Sequence, residues 1–266
     1  MDNHVHNLSG FLPVIHIAGM PVPVYFLFTS LSFVVGLVYL VRRGEALGFS
    51  RNRVLDVSLV VMISGFIGSR LFHVFVEEPG YYLARPLLVF DIWSGGFVWY
   101  GGAIVAAFCG IIFLQIKKEH TAPWLDLFAP VAALGYAIGR FACFATGCCF
   151  GKVVHLPEAL GGASIRYPTQ AFAVCFELSI FAILLFIERL RQKNEAPIWL
   201  RQPGQVFLIW LCLHAVGRII MEQFRGDPRG PEPLGLSVAT WISLVMLVPA
   251  FSLFMRFVRA SKLRHL

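Results

Sequence analysis

Residues 124–151 read WLDLFAPVAALGYAIGRFACFATGCCFG. From Trp124 to Ala142 the run is almost wholly apolar, close to the roughly 20 residues with which a helix crosses hydrocarbon. Its exceptions are Asp126 near one end and Arg140 near the other. An arginine at that depth costs at least about 2.5 kcal/mol even on the mildest insertion scale, so Arg140 implies a compensating partner. Asp126 cannot be that partner, because fourteen residues of helix, about 21 Å, separate the two. Asp126 reads instead as a cap or an acceptor for a neighbouring helix.

Working outward, the same scan finds six further runs: Val24 to Val41, Val54 to Val76, Phe97 to Ile116, Thr169 to Ile187, Gln205 to Met221 and Val238 to Val258. Of the 266 residues, 58% are hydrophobic and 14% charged, against about a quarter charged in ordinary globular domains. The expected fold is an all-α polytopic membrane protein, a single integral membrane domain of seven transmembrane helices. The first run starts too far from the N-terminus, behind too few positive charges, for a cleaved signal peptide, and reads as a permanent helix. The segment Met1 to Met20 reads as an exterior loop or a short helix lying on the surface. Its His4, His6 and His16 match no standard metal spacing.

The net charge of +7 tracks topology rather than nucleic acid. One set of segments between the runs carries Arg42, Arg43, Arg51, Arg53, Lys117, Lys118, Arg189, Arg191, Lys193, Arg201, Arg256, Arg259, Lys262 and Arg264. The alternate set carries Arg85, Lys152, Arg166, Arg225 and Arg229. Positive charge concentrates on cytoplasmic loops, so the N-terminus is expected outside and the C-terminus in the cytoplasm. Arg70, Arg140 and Arg218 remain, inside the runs.

Those three arginines sit at similar depth. From the inner ends of their runs, Val54 to Arg70 is 16 residues, Pro123 to Arg140 is 17 and Gly204 to Arg218 is 14. At about 1.5 Å per residue they fall within roughly one helical turn of one level. Glu77 and Glu222 are the chief acids there, and Glu222 stands between Arg218 and Arg225 on one helical stripe. A structural network of carbonyls and these acids is one solution. A bound phosphate is the other, because guanidinium grips phosphate as a two-pronged fork and the lipid headgroup supplies it.

Around the arginines lie Tyr25 at the opening of the first run, and Gly95-Gly96 and Gly101-Gly102 bracketing Tyr100. Glycines there permit close approach of a helix or a ligand. Ser64, Gly65, Gly68 and Ser69 would let neighbouring helices approach. Pro168 fits the first turn of a helix, with Thr169 and Gln170 just inside the boundary. Six cysteines do not form a secreted disulfide framework. Cys109, Cys175 and Cys212 read as small apolar packing residues.

Together these residues resemble the bacterial prolipoprotein diacylglyceryl transferases over nearly the whole chain. The resemblance rests on Tyr25, Gly68-Ser69-Arg70, Gly95-Gly96 through Gly101-Gly102, Asp126, Gly139-Arg140-Phe141, Tyr167-Pro168-Thr169-Gln170, and Gly217-Arg218 with Glu222 and Arg225. It implies an enzyme of the bacterial cytoplasmic (inner) membrane that moves a diacylglyceryl group from phosphatidylglycerol to the lipobox cysteine of prolipoproteins and releases glycerol phosphate. By it, Arg140, Arg218, Tyr100 and Glu222 are catalytic, while Tyr25, Arg70, Gly101, Gly102, Gly139, Gln170 and Arg225 bind substrate. No metal or organic cofactor is implied. The family usually has histidine where Tyr100 stands, asparagine at Cys143 and Thr146, glutamate at Cys148, and a tyrosine-glutamate pair near Phe172 and Ala173.

An ordinary tyrosine, titrating near pH 10, is a poor base at neutral pH. The thiol proton then goes to a neighbour such as Glu222 or His73, or to Tyr100 itself beside the arginines. Two other classes of function fit the residues: a phospholipid-binding or transport protein on the same scaffold, and a thiol redox or metal protein built on Cys143, Cys148 and Cys149. Against the metal version, the spacing of these cysteines is not a standard zinc spacing.

Overall fold

The computed structural model describes residues 5–6, 10, 12–17, 19–92, 95–155, 164–227 and 233–263. The Gly161-Gly162 loop, His4, Arg229 and Arg264 lie outside them, as does the side chain of His6. Each of the seven apolar runs becomes a helix long and apolar enough to cross a membrane: α1 Val24–Ala46, α2 Arg51–Phe72, α4 Trp99–Ile116, α5 Thr121–Thr146, α6 Thr169–Gln192, α7 Gln205–Phe224 and α8 Val238–Leu263. A short α3, Pro79–Ala84, follows α2. Several helices run past the apolar runs into flanking polar residues, taking in Arg42 and Arg43, Arg51 and Arg53, and Arg189 and Arg191. A helix satisfies its backbone internally whatever its side chains, so hydropathy underestimates its length. Large side chains such as Phe108, Phe186 and Val245, each more than 60% exposed, clothe the helix exteriors, as contact with lipid requires.

Two compact units account for the internal contacts: Leu37–Trp124, and Met1–Gly36 with Leu125–Leu266. In the first, α2 packs against α4 through glycines. A Cβ on Gly101 would lie 2.1 Å from the Cβ of Phe72, one on Gly68 would lie 2.5 Å from that of Val105, and one on Gly102 would lie 2.9 Å from the Gly65 carbonyl oxygen. These glycines admit the close approach of the neighbouring helix. Arg53 donates to Glu119 at 3.2 Å and ties the far ends of the pair. After Phe72 the helix widens into a π-helical turn, His73–Glu77, where His73 Nδ1 meets Glu77 at 2.8 Å.

In the second unit α6 lies on α7, with Phe176 covering Gly217, where an added Cβ would fall 2.1 Å from the ring. Ala129, Ala133, Ile180, Leu184, Val206 and Trp210 form the buried centre. Asp126 takes the interhelix role expected of it. Its carboxylate accepts from Arg191 at 2.8 Å and from the amides of Gly204 and Phe207 at 2.9 and 3.0 Å, so a residue of α5 satisfies the open first turn of α7.

Among the described residues two small sheets stand outside the helices. Strands β2 Val14–Ile17 and β3 Met20–Pro23 form an antiparallel hairpin, and β1 Val5–His6, β5 Ser164–Arg166 and β4 Val153–His155 lie in the order β1-β5-β4. The surface helix considered for residues 1–20 is thus corrected to a hairpin at its C-terminal end. Val14, Ile15 and Ile17 are β-branched, and such residues pack better on a pleated surface than in a helix. The amides of Gly10 and Leu12 bond to the carbonyls of Phe144 and Ala145, which pins this segment to the end of α5. Pro168 stands one residue earlier than expected, as the residue before α6 rather than in its first turn.

Candidate functional site

Arg140 lies in the last two turns of α5. Its Nε and Nη2 both donate to the hydroxyl of Tyr136, one turn back, at 2.8 and 2.6 Å, and the guanidinium stands 4.9 Å from the centre of the same ring. A neutral phenol orients the charge without cancelling it. Among the described residues no carboxylate lies within ion-pair distance of Arg140. Beside it, Gly139 faces open space: a Cβ there would meet nothing within 4 Å.

Tyr136 is itself held from behind. Its ring meets that of His214 edge-on at 4.8 Å, and His214 stacks on Trp210 at 5.5 Å. His214 Nδ1 is 2.6 Å from the carboxylate of Glu177, and both side chains are buried. The chain Glu177–His214–Tyr136–Arg140 joins α6, α7 and α5. Glu177 and His214 lie outside the residues that the sequence analysis singles out. The available signal was the same one that exposed the arginines, an ionisable group inside an apolar run.

Arg218 follows His214 by one turn on α7, so the Tyr136–His214 contact also ties the turn bearing Arg140 to the turn bearing Arg218. Arg218 is buried and donates to Glu222 at 3.3 Å. Of the two arginines that Glu222 could serve, it serves this one. Arg225 instead makes a two-pronged pair with Asp227, at 2.9 and 2.7 Å, and its backbone bridges to Gly151.

Arg70 belongs to the other unit and has a different task. Its Nε donates to the Val89 carbonyl, Nη1 to those of Gly95 and Gly96, and Nη2 to those of Leu88 and Asp91. A guanidinium has five N–H donors, and all five are spent on backbone. The ring of Tyr82 stacks over the same group at 5.4 Å. Arg70 therefore anchors residues 88–91 and 95–96, and Glu77, one of the acids at this level, meets His73 instead. Gly96 is required there, with φ of +77° and His73 where a side chain would go. Tyr100, buried in the first turn of α4, packs edge-on against Trp99 at 5.1 Å.

The stretch after Arg140 ends α5 in a tight turn. Gly147 has φ of +79° and the Cys148 amide bonds back to the Cys143 carbonyl at 3.1 Å. Gln170 Nε2 donates to the Cys148 carbonyl at 2.7 Å and Thr169 Oγ1 to that of Cys149 at 3.1 Å. Gln170 thus acts on the loop beside Arg140. Tyr25 is within electrostatic reach of Arg140 and of the three thiols. Hydrogen bonds from Cys143 and Cys148 pull the Cys149 thiol well below the ordinary thiol range against the cost of burial, with help from the guanidinium groups of Arg140 and Arg225.

The sequence profile of the prolipoprotein diacylglyceryl transferase family matches residues 13–256. A phosphatidylglycerol–prolipoprotein diacylglyceryl transferase of Clostridium tetani is 28% identical over 238 residues, 86% of this chain and 91% of its own. A second such enzyme, from Clostridium perfringens, is 28% identical over 247 residues, 90% of this chain and 92% of its own. One from Geobacter sulfurreducens is 27% identical over 206 residues, 74% and 76% of the two chains. The chain belongs to the prolipoprotein diacylglyceryl transferase family.

Proposed function

We propose that this family member transfers the diacylglyceryl group of phosphatidylglycerol to the lipobox cysteine of prolipoproteins, as a multi-pass protein of the bacterial inner membrane. Its N-terminus lies outside and its C-terminus in the cytoplasm, a reading that rests on the distribution of lysine and arginine. The observation that carries the function is the unequal treatment of the arginines. Arg70 is spent on carbonyls, Arg218 pairs with Glu222 and Arg225 with Asp227, whereas Arg140 is aimed by a phenol and meets no carboxylate among the described residues. A phosphate diester supplies oxygen acceptors for the Arg140 donors that Tyr136 does not take.

The reaction is a displacement. The peptide sulfur attacks the glyceryl carbon that bears the phosphate, the carbon–oxygen bond breaks, and glycerol phosphate leaves with the bonding pair. Charge grows on the departing phosphate, so Arg140 and Arg218 accelerate the step to the extent that they hold the leaving group better than the intact lipid. Glu222 shares a face of α7 with Arg218. It orients that arginine and takes the thiol proton before passing it to solvent. Tyr25, Gly139 and Gln170 shape the surroundings of Arg140, with Gln170 acting through the Cys148 carbonyl. The chemistry draws on these side chains and the two substrates.

Proteoliposomes containing the protein, labelled phosphatidylglycerol and a lipobox peptide test this reading. Label should move to the peptide thiol, and Arg140→Ala should abolish the transfer while the protein still folds. Lipid binding without transfer by the wild type would replace the enzyme with a phospholipid-binding or transport protein, a reading that the tyrosine at position 100, where the family usually has histidine, favours. Full activity in Arg140→Ala would refute its role.

A further inference from the structure

Three cysteines that the transfer reaction does not use converge at the end of α5. The spacing of Cys143, Cys148 and Cys149 looks unsuited to a metal along the chain, and the helix end supplies what it lacks. With Gly147 in the left-handed conformation and the Cys148 amide bonded to the Cys143 carbonyl, the turn carries the six-to-one bond of a Schellman motif. That motif brings the side chain two residues past the last helical residue against the one three positions before the end, here Cys148 against Cys143. Cys149, also left-handed with φ of +60°, turns its side chain back toward both. The Sγ atoms of all three lie within 4.8 Å of one another.

The arrangement is held before any ion arrives. Gln170 and Thr169 clamp the carbonyls of Cys148 and Cys149, the amides of Gly10 and Leu12 clamp the carbonyls of Phe144 and Ala145, and Gly151 bonds to Tyr167. Cys143 is buried, Cys149 half-buried and Cys148 exposed, so two of the three residues are shielded and the third is accessible. Tetrahedral Zn–S bonds of about 2.3 Å place sulfurs roughly 3.8 Å apart, and the observed group needs to close by less than about 1 Å. Three thiolates and one Zn(II) carry a net charge of minus one, and the Arg140 and Arg225 guanidinium groups within electrostatic reach keep the surroundings positive.

We propose that Cys143, Cys148 and Cys149 form a three-thiolate site for a thiophilic divalent ion, Zn(II), with water in the fourth position. The ion would staple the last turn of α5 to the loop that Gln170 holds, next to Arg140. The site does not depend on transfer chemistry, and its failure would leave the function proposed above untouched.

The test uses the full-length protein in detergent, reduced and stripped with a chelator, then titrated with Zn(II) against a chromophoric competitor. One equivalent should bind, X-ray absorption should find three sulfur neighbours at about 2.3 Å, and removing the ion should lower the Tm. Cys148→Ser, at the exposed ligand, should weaken binding at least tenfold without unfolding the protein. Replacing Cys109, Cys175 and Cys212 with serine should leave binding unchanged. The proposal is overturned if no equivalent binds, if fewer than three sulfurs surround the ion, or if Cys148→Ser binds as the wild type does.

Discussion

Removing one oxygen from Tyr136 isolates what positions Arg140. Tyr136→Phe keeps the ring that packs on His214 but deletes the acceptor of two guanidinium hydrogen bonds, at 2.8 and 2.6 Å. Hydrogen bonds to a charged group contribute about 1.5–3 kcal/mol each. Here both end on one hydroxyl and the freed donors regain water or lipid, so the pair is worth about 2 kcal/mol of positioning rather than twice the single value. At 1.36 kcal/mol per tenfold, that is roughly a 30-fold loss in kcat/KM. Transfer of labelled lipid to a lipobox peptide in proteoliposomes reads it, beside a thermal unfolding curve. The Tm should hold, since the packing volume is nearly unchanged. A loss smaller than about threefold, or one matched by a fall in Tm, would refute the claim that the phenol aims Arg140.

Arg70→Lys keeps the charge but replaces a five-donor fork with a single ammonium, leaving at least two of the carbonyls around it unserved, at about 1–3 kcal/mol each. Residues 86–92 should exchange amide hydrogens and be cut by protease much faster; unchanged protection would mean they are held otherwise. Asp126→Asn removes the charge that answers Arg191 and caps α7, and should cost about 2 kcal/mol, seen as a lower Tm with the transfer rate per folded molecule preserved. An unchanged Tm would show the cap to be dispensable. Gly101→Ala drives a methyl into Phe72 and should cost about 1–3 kcal/mol by pushing α2 from α4, which a crosslinking yield between cysteines placed on those helices would report. Equal yields in variant and parent would count against close glycine packing.

The spans were legible because the bilayer imposes a local rule: a backbone in hydrocarbon must bond to itself, so length and hydropathy of one segment suffice. Arg70 was not. Its isolation in an apolar run is visible in the sequence, but whether a carbonyl, a carboxylate or a phosphate answers it depends on where residues 88–96 fold. Nor does any local pattern connect Tyr136 to His214 or Asp126 to the amides of Gly204 and Phe207, some 78 to 81 residues away.

By itself the amino-acid sequence determined that this is a seven-helix membrane chain with arginines where hydrocarbon should be, because burying charge in lipid is costly wherever the rest of the chain lies. Only the tertiary structure decided which groups answer each arginine. Arg70, Arg140, Arg218 and Arg225 present the same guanidinium, and what separates them is the set of acceptors that other segments bring to each. Hydrogen bonds reach about 3 Å, so that set is fixed only when distant segments have folded into place.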